Sequence, residues 1–145
     1  MDYQYNDGGR AAAGFKGDTR DCVTRAVAIA TRLPYAEVYD TLNALTRDSR
    51  AWARLLGNRM PGARTGIPKP VTKKMLTALG WTWHPTMQIG SGCRVHLRAD
   101  ELPPGRLIVR LSRHMAAVID GTLHDTFDCS RNGTRCVYGY WSESK

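Results

Sequence analysis

Apolar residues take up a helical spacing early in the chain. Val23, Ala26, Val27 and Ala30 fall at i, i+3, i+4 and i+7, which is one helix face. Ala28 and Ile29 widen that face, so this helix is expected to be largely buried. The polar stretch Asp18-Thr19-Arg20-Asp21 leads into it, and Thr19 or Asp21 can cap its start. Pro34 cannot continue the helix and suits the opening of a new one. Tyr35, Val38, Leu42 and Leu45 predict that second helix over residues 35–46. Trp52, Leu55 and Leu56 predict a short third helix stopped by Gly57. Residues 58–70 hold three prolines and two glycines and read as loop. Val71, Met75, Ala78 and Leu79 predict another helix, with Gly80 as its C-terminal cap.

The period changes at residue 81. Trp81-Thr82-Trp83-His84 alternates like a strand and ends at Pro85. Residues 86–105 lack a period, and Leu102-Pro103-Pro104-Gly105 reads as a turn. Strands are predicted over residues 106–111, 114–119, 122–127 and 135–141. Asp120-Gly121 is the strongest two-residue hairpin signal in the chain. Helices first and an antiparallel sheet second imply an α+β fold. The expected organisation is an N-terminal arm or loop over residues 1–17 and one domain over residues 18–145. Its helical part is residues 18–80 and its sheet part residues 81–145.

Composition narrows the class. At 145 residues and 42% hydrophobic content the chain has enough apolar material for a core. No apolar run approaches the roughly 18 residues that a membrane span needs, so no membrane partner is expected. The first residues are polar, unlike a secretory signal, which points to the cytoplasm and to reduced thiols. Cys129 and Cys136 flank a turn-like stretch and can approach each other, with a bridge possible on air oxidation. Cys93-x-x-His96 with Cys129 and Cys136 could in principle make a zinc site, but the second pair is spaced by six residues, wider than a usual knuckle, so no metal and no cofactor is expected.

Charge is localised. The formal net charge is +8, and residues 47–74 carry +7 of it. Arg47, Arg50, Arg54, Arg59, Arg64, Lys69, Lys73 and Lys74 stand there against a single acid, Asp48. Such a segment is either a solvated face or a grip for nucleic acid or an acidic protein, with Trp52 as a contact residue. Trp81, Trp83, Tyr138, Tyr140 and Trp141 fall on strand positions and read as core or cleft wall.

The candidate chemistry centres on Cys22, at the head of the first helix. Unpaired N–H groups and the helix dipole favour a thiolate there, although a buried core cysteine is the plain alternative. The Asp120-Gly121 turn sets Ile119 opposite Thr122, Ala116 opposite Asp125 and His114 opposite Phe127. Asp125 thus becomes the diagonal neighbour of His114 on one sheet face, while His124 and Asp128 have the other parity. A carboxylate so placed can hold one imidazole nitrogen and leave the other as a base. A cysteine, a histidine and an orienting aspartate are the parts of an activated thiol nucleophile.

Several stretches carry a likeness to a known family. They are Asp21-Cys22-Val23-Thr24-Arg25-Ala26, Leu33-Pro34-Tyr35 with Glu37-Val38-Tyr39, and the turn of residues 102–105. The most telling is residues 112–121 followed by His124-Asp125-Thr126. In these the chain resembles the papain-like cysteine peptidase superfamily, and among its members the small C39-like proteins of bacteriophages and bacteria. The resemblance implies a papain-like fold and a hydrolase, most readily a peptidase, working through a thioester acyl-enzyme on a peptide or protein substrate. It implies Cys22 as nucleophile, His114 as general base and acid, and Asp125 as the orienting residue. For a phage-encoded protein it implies the host cytoplasm. The superfamily's usual glutamine ahead of the cysteine has no counterpart over residues 15–21. Thr19, Lys16, Arg20 or a folded-back Gln4 then stand as oxyanion candidates beside the Cys22 N–H. A catalytically weak or inactive papain-like protein that binds partners through residues 47–74 is the other reading.

Overall fold

The computed structural model describes residues 1–15, 21–55, 67, 69–88 and 90–143, with residues 49–55 described as helix backbone. Helix α1 (Cys22–Thr31) buries every position from Val23 to Ala30. Its N-terminal flank is Asp21, whose side chain makes no capping bond, and its C-terminal flank is Arg32, in the left-handed region at φ 66°. The last carbonyls of α1 are met from the sheet: Arg106 Nε donates to the Ala30 carbonyl at 2.7 Å and Nη2 to that of Ile29 at 2.6 Å. Cations at this end also suit the helix dipole.

Helix α2 (Tyr35–Leu55) opens with the Val38 N–H donating to the Pro34 carbonyl, as a proline just ahead of a helix allows. It runs unbroken through the region predicted to hold a separate third helix. The polar run after Thr46 does not end the helix. Helix α3 (Lys69–Ala78) starts two residues ahead of its apolar stripe, and Gly80 at φ 85° ends it.

Strand β1 (Asp2–Tyr5) comes from the stretch expected to be an arm or loop. It is followed by β2 (Trp81–Pro85), β3 (Val95–His96), β4 (Arg106–Leu111), β5 (His114–Ile119), β6 (Thr122–Asp125), β7 (Cys136–Val137) and β8 (Gly139–Glu143). Among the described residues the main sheet has the order β1-β6-β5-β4-β8-β2, and β3 pairs with β7 in a small second sheet. The expected all-antiparallel sheet is corrected to a mixed one, because β1 lies parallel to β6 with Gln4 opposite His124 and Tyr5 opposite Asp125. Tyr3 and Tyr5 give β1 strand-forming side chains at alternate positions, a short pattern embedded in polar sequence. The last predicted strand is likewise split: the Tyr138 N–H turns to the Arg110 carbonyl, between β7 and β8.

The hairpin between β5 and β6 has the predicted register, with Ile119 opposite Thr122 and Ala117 opposite His124. Asp120 and Gly121 both have positive φ, 47° and 80°, as a two-residue hairpin turn of type I′ requires. Two cores flank the sheet. On one face α1, α2 and α3 pack with Trp81, Ile108, Met115, Ala117 and Trp141. On the other, Leu107, Val109, Ala116, Val118 and Leu123 meet Leu97, Leu102, Cys129 and Val137 from the connecting segments. Cys93 and Cys136 form a disulfide in this covering layer. The expected approach of Cys129 to Cys136 does not occur. Pairing of β3 with β7 sets His96 opposite Cys136 and carries the nearby Cys93 to it, while Cys129 turns into the core. Among the described residues no helix is long and apolar enough to cross a membrane.

Candidate active site

Cys22 heads α1, the helix that packs on β5, and β5 begins with His114. The turn before His114 is tight: Leu111 pairs with His114 across Ser112 and Arg113, and Arg113 adopts φ 55°. His114 Nε2 donates to Asp125 Oδ2 at 2.6 Å. This bond leaves the other ring nitrogen for a thiol, and Cys22 lines the same cavity as His114, each shifting the other's pKa. The Phe127 ring lies 5.3 Å from the imidazole, as the hairpin register predicts for its facing residue.

The charges are set by burial and pairing together. Burial pushes the Cys22 thiol up, but the His114 hydrogen bond and charge, the Met115 N–H and the Arg25 charge outweigh it and bring its pKa below the ordinary value. Burial works against a charged His114, yet bonds with Asp125, Cys129 and Cys22 and the Asp125 charge raise its pKa to about 11. Asp125 is held below the usual carboxylate range. Burial opposes this, and the His114 bond and charge, the Thr126 N–H and the Arg25 guanidinium override it. The arrangement favours a thiolate–imidazolium pair with a carboxylate behind it.

Asp125 is fixed from every side. Its Oδ1 accepts from the Thr126 N–H at 2.7 Å and from Arg25 Nη2 at 3.3 Å. Its main-chain carbonyl accepts from the Asn6 N–H at 2.9 Å and the Tyr3 hydroxyl at 3.2 Å. Arg25 also donates through Nη1 to Asp21, whose buried carboxylate accepts from the Tyr35 hydroxyl and pairs with Arg10 at 3.4 Å. Asp21 therefore acts as an anchor for Arg25 instead of a side-chain cap for α1. The opposite parity of the other two candidates also appears: His124 meets Asn6, and Asp128 closes a turn onto Ser130.

Three contributors lie beyond the sequence reading. Cys129 is buried beside the His114–Asp125 pair and contributes to the raised pKa of His114. Ligand atoms of His114, Asp125 and Cys129 lie within 4.8 Å of one another, so a metal ion there would compete with the His114–Asp125 hydrogen bond. Arg25 and Tyr35 reach the site through contacts between distant segments. Only Arg25 carried a signal, as a charged residue on a helix predicted to be buried.

Cys22 and His114 open onto a cavity of about 280 Å³ that Lys69, Arg110, Arg113 and Tyr138 also line. Of the oxyanion candidates, Thr19, Lys16 and Arg20 lie outside the described residues. Gln4 is exposed on β1 opposite His124, at the parity away from Asp125, and is not among the residues lining this cavity. The first-turn N–H groups of α1 are not taken by the Asp21 side chain. In the basic segment, Arg47, Lys69, Lys73 and Lys74 are exposed. Arg50, Arg54 and Trp52 lie on α2 with side chains outside the description, and Arg59 and Arg64 lie outside the described residues.

No family model, curated protein or solved structure matches this chain.

Proposed function

We propose that this chain is a papain-like cysteine hydrolase that cleaves peptide bonds. The observation that carries the reading is the placing of Cys22 and His114 on one cavity with Asp125 hydrogen-bonded to the imidazole, an arrangement in which the thiol is lowered and the imidazole raised to about 11. The Cys22 thiolate attacks the substrate carbonyl carbon, and the oxyanion forms toward the N–H groups at the start of α1. His114, already protonated, gives its proton to the leaving amine as the C–N bond breaks, and a thioester remains on Cys22. His114 then takes a proton from water, which attacks the thioester and releases the acid. Asp125 keeps the ring oriented and offsets the imidazolium charge throughout.

The competing reading is a papain-like protein without catalysis that grips an acidic protein or nucleic acid. The exposed cations Arg47, Lys69, Lys73 and Lys74 favour it, and it does not require Cys22 to react.

Alkylation of Cys22 by iodoacetamide across pH separates the two. The thiolate fraction falls only as pH drops through the lowered Cys22 pKa, so fast alkylation is expected to persist below the pH at which an ordinary thiol protonates. In His114→Ala the rise in rate should move up toward the ordinary thiol value of 9.0. A Cys22 that stays inert across this range, in protein shown to be folded, overturns the catalytic reading.

A further inference from the structure

A second cavity, of about 410 Å³, adjoins the one at Cys22, and Lys69 and Arg110 line both. Lys73, Thr72, Trp83 and Trp141 complete its working walls. No aspartate or glutamate is among the described residues lining either cavity. Arg110 is half-buried, and its guanidinium lies over the Trp83 ring at 5.9 Å from the centroid. Burial alone lowers its pKa, with no carboxylate acting in the other direction. Thr72 is nearly inaccessible, and its hydroxyl has no hydrogen-bond partner among the described residues. A partly desolvated cation without a counter-charge and a buried hydroxyl without a partner are both costly features. Both residues line the same cavity, and a ligand carboxylate that reached both groups would satisfy both.

We propose that this cavity is a subsite for a carboxylate of the substrate, so that the enzyme acts on acidic peptides. The carboxylate accepts from Arg110 and the Thr72 hydroxyl, with Lys69 and Lys73 adding attraction at the rim. Trp83 and Trp141 cover the apolar stem that carries it. The source is either a glutamate or aspartate side chain or a peptide C-terminus; the chemistry of capture is the same. The assignment rests on the hydrolase reading for its role as substrate, but its binding test does not depend on turnover.

The test uses Cys22→Ala protein and fluorescein-labelled peptides read by anisotropy. One peptide carries glutamate, its match carries glutamine, and each is made with a free and an amidated C-terminus. Glutamate is expected to bind about tenfold or more tighter than glutamine if a side chain is read, and free acid tighter than amide if the terminus is read. Thr72→Val should weaken acid binding while leaving Tm unchanged or raised, since it removes an unpartnered hydroxyl; a purely structural hydroxyl would not give that split. Lys73→Gln, on an exposed helix position, should weaken acid binding and raise its tolerance of salt. Equal binding of all four peptides overturns the proposal, as does tighter binding of oligothymidylate, which would assign the cleft to nucleic acid. Peptides that bind alike while Cys22 alkylates fast remove the subsite alone. Acid-selective binding with an inert Cys22 keeps the subsite and removes the hydrolase.

Discussion

Arg25 stands between two buried carboxylates, with one arm of its guanidinium on Asp21 and the other on Asp125. A lysine cannot make both contacts, because its ammonium is a point charge and not a planar fork. Arg25→Met leaves two buried acids short of a counter-charge, and a loss of about 3–5 kcal/mol is expected by urea denaturation. Arg25→Lys should lose less stability. Arg25→Met should slow Cys22 alkylation at low pH, because Asp125 and Cys22 each lose a charge that favours their ionised forms, and Arg25→Lys, which keeps the charge, should slow it less. This residue was not legible as part of the site. The His114–Asp125 pair was, since a two-residue turn fixes every pairing counted outward from it. Arg25 and Cys129 join through long-range packing, and no local spacing encodes that.

Among the elements, the β2–β8 pair depends on a missing side chain. A Cβ at Gly139 would run into the Trp83 ring and lie 2.9 Å from the His84 carbonyl oxygen. Gly139→Ala should cost about 1–3 kcal/mol through overpacking, measured as a fall in Tm. Because Trp83 also carries Arg110, the same variant should disturb acid binding, which Thr72→Val affects without that loss of stability. The alternating aromatics announced a strand here, but not the close approach at Gly139. Helix α1 was legible because Val23, Ala26, Val27 and Ala30 repeat at helical spacing. The length of α2 was not, since the polar run Thr46-Arg47-Asp48-Ser49-Arg50 interrupts its apolar period and splits one helix into two in the sequence. Strand β1 escaped for a related reason: an edge strand needs partners more than it needs apolar residues.

At the scale of the molecule, the covering layer is held by the Cys93–Cys136 bridge, which closes a 43-residue separation. Reduction, or Cys93→Ser, should lower stability by up to about 4 kcal/mol, read as Tm with and without a phosphine reductant. The bridge ties the segment just before β3 to the first residue of β7, and the two strands have two residues each, so the layer has little other ladder bonding of its own. Local patterns made the helices-then-sheet arrangement readable. The pairings that close the sheet, β1 on β6 and β8 between β4 and β2, join segments far apart in the chain and leave no local mark.

The parallel pairing of β1 with β6 also sets an order of events. Residues 2–5 pair with residues 122–125, and contacts so distant in sequence are expected to form late in folding because the intervening loop must first be closed. Asp125 receives its Tyr3 and Asn6 bonds at that moment. Tyr3→Phe, which removes one of these bonds, should therefore speed unfolding and leave the folding rate almost unchanged in stopped-flow kinetics. A slowed folding rate would place β1 in the nucleus instead. On the expected order, a nascent chain carries its cysteine and histidine well before its aspartate is locked in place, and reactivity arrives as the last step of becoming folded.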